Sequence, residues 1–506
     1  MDAIESLQKD VQEGRVSADH LCNLVVTLQQ QLQAAQQQLE AANKRIDELE
    51  KKLGGGGGAK LDEAFSMRAE EKRQEARGRK KRKQKKGRQG RLKSADKIAV
   101  AKRTEAIYPE GVDKGQCQLS HVRPVWRLED RQAVLIAYQI YRGPKNQYGK
   151  IPGVLGRSEF GMEIATELAY LIYGMGLSFE KACAVLGFFQ NLKLSKAQAD
   201  SLLQQLSRHW QGEFEALCTL LANSMVVHAD ETSWSLNSVW ALVSEKARLL
   251  LFGVHKDAAT LEKVLDPATF AGLVVSDDAA VYGNFTNSQK CWAHLLRKAI
   301  KLALQDPANA KYQDFTDRLF EIYREACRVQ SDQRLSDAGR AAKVEALDLR
   351  IFDLCEADWR RNLDRAPFEG LANDYRLLVN EIMRLALDEQ LFTFVTAKPV
   401  VQPNGVTQPV AGTNNEAERT LRKPAEARKT GRTNKAITGA RRQTVLTSVL
   451  ESLRLYLKTF TLASVMDEIE RWWQAGQSCF TKLLKKLKLA LPKNSVLDRV
   501  LPIPTG

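Results

Sequence analysis

The most regular pattern of apolar positions lies near the start of the chain. Apolar residues recur there at alternating intervals of four and three over more than four heptads. This spacing predicts a coiled coil over residues 1–53 that self-associates. A lone amphipathic helix packed within the chain is the alternative. The positions predicted to make the oligomer contacts are Leu21, Val25, Leu28, Leu32, Leu39, Ile46, Leu49 and Leu53.

A basic segment without any apolar stripe comes next. Residues 54–96 begin with five glycines, a flexible hinge, and continue into a run with 13 Lys or Arg and one acid, Glu75, between Lys72 and Lys93. Such a segment cannot fold alone, and its charge density favours contact with a polyanion such as DNA. A solvated linker is the alternative. The predicted DNA contacts of this arm include Arg79, Lys80, Lys81, Arg82, Lys83, Lys85 and Lys86.

The pattern then changes twice before residue 222. Residues 97–158 are predicted to form a small mixed module with a strand at 133–143. Residues 159–222 follow a helical period, and a short polar connector capped by Ser195 gives them the pattern of a helix-turn-helix. A helical hairpin that only packs is the alternative. Cys117 and His121 have the spacing of half a zinc site, but no second pair lies nearby.

Residues 223–290 alternate between apolar strands and polar turns. The predicted elements are strands within 224–234, twice within 238–255 and within 272–285, and a helix at 257–265. In chain order, the first and the last of these strands end in acids, Asp230 and the Asp277–Asp278 pair. Such acids can converge where neighbouring strands end. Converging carboxylates predict two Mg²⁺ or Mn²⁺ ions about 4 Å apart that promote phosphoryl transfer. His228 is either a base on the strand face of Asp230 or a packed histidine.

Composition narrows the class of protein. The chain has 506 residues and a net charge of +15, most of it in the basic arm, which excludes a histone-like polycation. Its apolar fraction of 44% is ordinary for a globular protein. The eight cysteines contain no Cys-x-x-Cys pair, and no apolar run is long enough for a membrane span. We therefore expect a reduced, cytoplasmic protein without membrane contact.

A third acid is available in the segment TNNEAERTLRK. Thr413 and Glu416 have the spacing of a capping box, which predicts that Glu416 is structural. Glu418, two positions further on, is then available as a metal ligand. A surface ion pair with Arg422, four positions along the same helix, is the alternative for Glu418.

Five motifs occur in a characteristic order: HADETSW, SDDAAVY, KCWAHLLRK, TNNEAERTLR and ARKTGRTNKAITGARRQ. From about Ala165 to Ser464 the chain resembles the bacterial insertion-sequence transposases of the sixty-six family, a DDE type. By motif position, Asp230 and Asp277 match the two catalytic aspartates of that family, and Glu418 matches its glutamate. Asp278 replaces the usual glycine, as either a supporting acid or a bystander.

The resemblance implies an α/β fold with an RNase H-like mixed-sheet core, preceded by the coiled coil and a helical DNA-binding region. It implies that the three matched acids bind two Mg²⁺ or Mn²⁺ ions, that transposon ends are hydrolysed to free a 3′-OH, and that this end is joined to target DNA. The expected segments are 223–290 and 413–470 for the core, 291–412 for a large helical insertion, and 471–506 for a C-terminal tail.

Basic residues near the acids are predicted to line a DNA channel, which would also include Arg441 and Arg442. Cys291 and His294 have three possible roles: the histidine contacts a DNA phosphate, the pair forms a structural cap, or the pair binds zinc. The predicted DNA contacts in this region are His294, Arg297, Lys298, Arg419, Arg422, Lys423, Arg428, Lys429 and Arg432.

The chain departs from the family at one metal site. Of the cysteine cluster that many members carry, only Cys117 and His121 remain, so zinc is not expected as a cofactor. A DNA-binding or assembly protein that no longer cuts is therefore the alternative to an active enzyme, although all three acids are present. The expected partners are transposon-end and target DNA, further copies of the chain, and small accessory proteins of the same mobile element. The expected location is the bacterial cytoplasm, at the nucleoid.

Overall fold

The computed structural model describes residues 93–362 and 370–503. The predicted coiled coil, the glycine hinge and almost all of the basic arm lie outside these residues, and the predictions for them stay predictions. Within the described ranges the chain forms a mixed α/β structure with three sheets and many helices. No helix in these ranges is long and apolar enough to cross a membrane.

The first part of the described chain is a short helix followed by a small sheet. The helix is α1 (Ser94–Ala99), and the strands are β1 (Arg103–Ile107), β2 (Gln118–Glu129) and β3 (Gln132–Arg142). The strand predicted at 133–143 is confirmed as β3, which lies between β1, its parallel neighbour, and β2, its antiparallel neighbour. Asp130 and Arg131 have φ values of 46° and 63°, so a two-residue left-handed turn joins β2 to β3.

Three helices follow: α2 (Met162–Ala169), α3 (Phe179–Gln190) and α4 (Lys196–Ala222). A π-helical turn, Tyr170–Gly174, continues α2. The predicted cap of α4 is confirmed, because the N–H of Gln198 donates to Ser195 Oγ at 3.3 Å. One face of α4 is buried along its whole length, and Trp210 and Phe214 are fully buried. This burial shows that α4 packs on the core, and DNA contact by this helix pair stays a prediction.

The central sheet has five strands in the order β6-β5-β4-β7-β8. Its strands are β4 (Val226–Ser233), β5 (Ser238–Ser244), β6 (Arg248–Val254), β7 (Leu273–Ser276) and β8 (Ser288–Lys290), with the short helix α5 (Ala258–Glu262) before β7. Strands β4, β5 and β6 pair antiparallel, whereas β7 is parallel to both β4 and β8. The four strands and the helix predicted between residues 224 and 285 are therefore confirmed.

The two faces of this sheet carry different helices because side chains alternate along each strand. Val227 and Ala229 belong to the largest apolar core, which includes Trp210 of α4. Val239 and Ala241 face a smaller core on the opposite side. The Asp230 side chain lies on that second face, since Asp230 alternates with Ala229 and pairs with Ala241.

A helical insertion separates β8 from the last part of the core. It contains α6 (Trp292–Gln305), α7 (Ala310–Ser331), α8 (Asp337–Asn362), α9 (Gly370–Leu387), α10 (Thr393–Thr396) and the short strands β9 (Val400–Val401) and β10 (Thr407–Gln408). The helical patterns predicted here are confirmed. These helices share their own apolar core, which includes Val226, Leu273 and Val275 of the sheet, so the insertion packs directly on β4 and β7.

Two helices return to the central sheet, α11 (Asn415–Lys429) and α12 (Ile437–Tyr456). Ala417 and Leu421 of α11 pack in the smaller core. Helix α12 lies along the outer edge of β6, where three hydroxyls spaced four residues apart accept the outward N–H groups of the strand. These pairs are Thr444 with Phe252 at 3.0 Å, Ser448 with Leu250 at 3.0 Å and Ser452 with Arg248 at 2.9 Å.

The last described helices pack against the largest apolar core. The last helices are α13 (Leu462–Ala475), α14 (Cys479–Lys486) and α15 (Val496–Val500). Phe480, Leu484 and Leu497 belong to the apolar core of α4. The carboxylate of Glu215 in α4 accepts the N–H of Val496 at 2.8 Å and so anchors α15.

Candidate active site

Two of the predicted acids lie on adjacent parallel strands. The register of β4 and β7 pairs His228 with Val275, and two further steps bring Asp230 level with Asp277. Asp277 directly follows β7, as expected. The prediction that the first strand ends at Asp230 is wrong, because β4 continues to Ser233 while it still pairs with β5. The two acids therefore meet just beyond the end of the shorter strand.

The third acid is held close to them by the start of helix α11. Asn414 is fully buried, and its side chain donates to the carbonyl of Ala229 at 2.7 Å. The backbone N–H of Asn414 donates to Cys291 Sγ at 3.1 Å. These two bonds fix the beginning of α11 against β4, one residue from Asp230, and Glu418 lies in the first turn of this helix.

The predicted capping box of Thr413 and Glu416 is wrong. Helix α11 begins at Asn415, and Asn414 is its N-cap residue, so Thr413 lies one position too early to cap it. Glu416 instead lies 4.0 Å from the guanidinium of Arg248. It still has a structural position, but on the edge of the sheet rather than at the helix cap.

Glu418 also does not form the alternative ion pair with Arg422. Its Oε1 lies 2.8 Å from Arg297 Nη2 and 3.7 Å from His294 Nε2. Both partners belong to α6, so the carboxylate of Glu418 joins the returning helix to the first helix of the insertion. This contact places the CWAH motif directly beside the candidate acids.

Burial and the neighbouring acids act together on the Asp230 carboxyl. Burial raises the pKa of the Asp230 carboxyl to about 7, and the negative charges of Glu231, Asp277 and Glu418 add to this rise. The N–H of Glu231, which donates to Asp230 Oδ1 at 2.9 Å, opposes it. A buried cluster of like charges is unfavourable alone, and a divalent cation would relieve the repulsion.

We predict that Asp230→Asn stabilises the metal-free protein in a pH-dependent way. Between about pH 4 and 7 the unfolded chain loses the Asp230 proton while the folded chain keeps it, so the acid lowers stability as pH rises. The gain from the amide should reach about 4 kcal/mol at pH 8, which is several degrees of melting temperature, and only about 1–2 kcal/mol at pH 5. Thermal melts in EDTA at both pH values measure it. Equal gains at both would contradict the raised pKa.

The donor set fits a hard divalent cation. Backbone N–H groups orient two of the carboxylates, through the bond to Asp230 and through Ala279, which donates to Asp277 Oδ1 at 3.1 Å. Carboxylate oxygens are the protein ligands that Mg²⁺ and Mn²⁺ prefer. Asp230, Asp277 and Glu418 are therefore the residues that could hold such ions.

Glu231, next to Asp230, is occupied by other contacts. The hydroxyl of the buried Tyr282 donates to Glu231 Oε2, and Lys256 Nζ lies 2.7 Å from Glu231 Oε1. These contacts fix the backbone beside Asp230. The sequence pointed to Tyr282 only through its motif, and Lys256 was missed because it belongs to no motif.

A buried lysine was also missed by the sequence reasoning. Lys290 is 4% exposed, and its Nζ donates to Ser276 Oγ and to the carbonyl of Asp277, both at 3.3 Å. Burial lowers the pKa of Lys290, and the charges of Asp278 and Asp277 oppose that shift. The lysine immediately preceding the CWAH motif was the available signal.

Asp278 and His228 take supporting positions. Asp278 forms an ion pair with Arg384 of α9 and thereby ties the end of β7 to the insertion. Asp277, by contrast, is among the charges that raise the pKa of Asp230. Burial lowers the pKa of His228 to about 4. A neutral, packed histidine is therefore favoured over a base.

Cys291, His294 and Glu418 have ligand atoms within 4.8 Å of one another. Among the described residues this is the one such group of three or more His, Cys, Asp or Glu side chains, and Cys117 and His121 are in no such group. Burial raises the pKa of the Cys291 thiol and lowers that of His294, which the Arg297 guanidinium lowers further. Cys291 thus serves as an acceptor for Asn414, a structural contact.

The predicted DNA-binding residues divide into side chains that are exposed without an ion pair and side chains that contact other groups of the protein. Arg419, Arg422 and Lys429 are exposed on α11 and form no ion pair within the described chain. The contacts of the others are Lys298 with Glu381 at 2.5 Å, Lys423 with Glu451 at 3.4 Å, Arg428 with the carbonyl of Ser233 at 2.9 Å and Arg432 with the carbonyl of Gly176.

The prediction that Arg441 and Arg442 line a DNA channel is wrong. They are 8% and 9% exposed. Arg441 pairs with Asp498 of α15, and Arg442 lies 2.6 Å from Asp200 of α4. Both arginines face inward because α12 is surrounded by packed helices and strands, so their charges stabilise the fold instead of reaching solvent.

Comparison with known proteins locates the site within a recognised family. A search of curated proteins finds no match. Residues 157–442, more than half of the chain, match the family model described as "Transposase IS66 family". This span contains Asp230, Asp277, Glu418 and the CWAH motif.

Proposed function

Because the chain belongs to the IS66 family of transposases, we propose that it is an active DNA transposase that cuts transposon ends and joins them to target DNA. The observation that supports this proposal most is the arrangement of the acids: Asp230 and Asp277 lie level on adjacent strands, and the charges of Asp277 and Glu418 both raise the pKa of Asp230. The strand order β6-β5-β4-β7-β8, antiparallel on one side and parallel on the other, supports an RNase H-like core.

In this proposal the three carboxylates hold two divalent cations. Mg²⁺ or Mn²⁺ bound there would activate a water or a 3′-hydroxyl and stabilise the leaving oxygen of the phosphodiester. Asp230 and Asp277 are fixed by the sheet, whereas Glu418 must exchange its contact with Arg297 for a metal ion. Asn414 and Lys290 keep the supporting backbone in place.

The DNA would pass along the exposed face of α11. Arg419, Arg422 and Lys429 are available to phosphates there, and Arg297 becomes available once it leaves Glu418. Such contacts release counterions, so binding should weaken steeply as salt concentration rises. The basic arm would add affinity that does not depend on sequence.

The direct test uses the DNA that flanks the gene. Inverted repeats with a short target duplication would identify the transposon ends, and duplexes of those ends are then incubated with the protein and Mg²⁺. We expect strand breaks that leave a 3′-OH, followed by joined products with a second duplex. Binding without any cleavage in Mg²⁺ or Mn²⁺ would favour the alternative, an assembly protein that no longer cuts.

We also predict that the heptad segment makes the protein self-associate. Deleting residues 1–53 should lower the oligomer mass measured by light scattering, because the apolar a and d positions are lost. Replacing Leu32 and Leu39 by Asp in the full chain should have the same effect. An unchanged mass in both variants would contradict the coiled-coil prediction.

A further inference from the structure

A cavity of about 440 Å³ lies behind the helix that carries Glu418. We call it the rear pocket. Its walls come from α11, α12, the edge strand β6 and the segment after the π-helical turn. From α11 it is lined by Glu416, Arg419, Thr420, Lys423 and Pro424, which share one helix face. Its size is that of a small-molecule site.

The rear pocket contains polar groups that lack partners. Thr447 is 6% exposed, and its buried hydroxyl has no hydrogen-bond partner. The Nε of Arg248, on the facing strand, is likewise buried without a partner. Buried groups of this kind are normally satisfied, so they indicate a missing polar ligand.

The chemistry of the walls identifies the ligand class. The partly exposed rings of Tyr173 and Phe179 supply apolar surface. Of the cationic lining residues, Arg248, Lys423 and Arg442 pair with Glu416, Glu451 and Asp200. Arg419 and Arg432 form no ion pair among the described residues and supply the excess positive charge. Aromatic surface with unpartnered hydrogen-bonding groups suits a nucleobase, and an excess of positive charge suits its phosphate. A nucleotide combines these features.

We propose that the rear pocket binds one unpaired nucleotide of the DNA next to the strand that is cut. Glu418 lies between Glu416 and Arg419, two residues that line the pocket, so an occupant is within one or two helical turns of the proposed active site. Extruding a nucleotide breaks its stacking and pairing, which the pocket contacts would offset. Occupancy would hold α11 in position and thereby align Glu418.

This inference rests on the proposed function but is tested separately from cleavage. End duplexes carry the fluorescent base 2-aminopurine at successive positions beside the cut site, and emission is read in EDTA at saturating protein. We expect a several-fold rise at one position, where the base leaves the stack. Thr420→Trp, which fills the pocket, should abolish the rise, and the conservative Thr420→Ser should preserve it.

Two exposed cations provide a matched comparison. Arg419→Ala should reduce the rise, because Arg419 lines the pocket, whereas Lys485→Ala, on α14 and outside the pocket lining, should leave it unchanged at saturation. Both are exposed, so neither substitution threatens folding. A rise that survives Thr420→Trp, or no rise at any position, overturns the inference.

Two further measurements identify the source of the nucleotide and separate its binding from cleavage. Free deoxynucleoside monophosphates are titrated by calorimetry, and binding there without any signal from DNA would overturn the DNA source of the nucleotide. The same duplexes are then supplied with Mg²⁺. Cleavage without a change in emission would contradict the nucleotide pocket but not the proposed function. A change in emission without cleavage would contradict the proposed function but not the pocket.

Discussion

Replacing Asp230, Asp277 or Glu418 by its amide is expected to lower metal-dependent cleavage of end DNA by at least about a thousandfold. Each substitution removes a negatively charged ligand, and bound metal ions supply several kcal/mol of transition-state stabilisation in phosphoryl transfer. The variants Asp230→Asn, Asp277→Asn and Glu418→Gln should still bind DNA, because the basic residues of α11 are unchanged. Gel assays of cleavage and binding on the same duplex measure both effects.

The acid beside Asp277 supplies the matched control. Asp278 pairs with Arg384 instead of joining the cluster, so Asp278→Asn should retain much of the activity. A loss as large as that of Asp277→Asn would show that the wrong member of the pair was chosen. Normal cleavage by Glu418→Gln would remove Glu418 from the set of ligands.

Replacing Arg297 by Ala is expected to raise the affinity for Mn²⁺ about tenfold in the absence of DNA. The guanidinium lies 2.8 Å from Glu418 Oε1, so a metal ion must displace it before it can use that carboxylate. Charge-assisted contacts of this kind contribute about 1–2 kcal/mol when partly exposed, which converts to about tenfold. The affinity is measured by titrating the protein with Mn²⁺ and reading the concentration of unbound Mn²⁺ from its electron paramagnetic resonance signal.

Two further variants isolate the contact with Glu418. Lys298, the next residue on α6, pairs with Glu381, so Lys298→Ala should leave Mn²⁺ affinity unchanged. Adding Glu418→Gln to Arg297→Ala should cancel the gain. Equal affinities of wild type and Arg297→Ala would mean that the ion pair does not compete with metal. Loss of Arg297 should also weaken DNA binding, since the freed guanidinium is expected to bind phosphate.

Local patterns in the sequence were sufficient to predict the central strands and the first two acids. Apolar runs with polar turns predicted β4 to β7, and the acids after two of these runs predicted the meeting of Asp230 and Asp277. The end of β4 could not be predicted, because Asp230 to Ser233 remain in the strand only through pairing with β5. The end of a strand depends on pairing with a neighbouring strand, which the polarity of the residues at that end does not reveal.

The rest of the site depends on contacts between distant segments. Glu418 meets Arg297 across 121 positions, and helical spacing alone suggested Arg422 instead. Arg441 and Arg442 follow a basic run, which predicted exposure, yet α12 is buried on nearly all sides and pairs them with acids from other helices. Charge density along a sequence does not determine which cations reach solvent.

The hydroxyls of α12 leave the outer strand of the central sheet without an open edge. A bare edge strand is a template on which another chain can add by backbone pairing. Because Thr444, Ser448 and Ser452 already accept the outward N–H groups of β6, a second molecule cannot extend the sheet on this side without first peeling α12 away. This edge is therefore protected against strand-by-strand aggregation when the protein is concentrated.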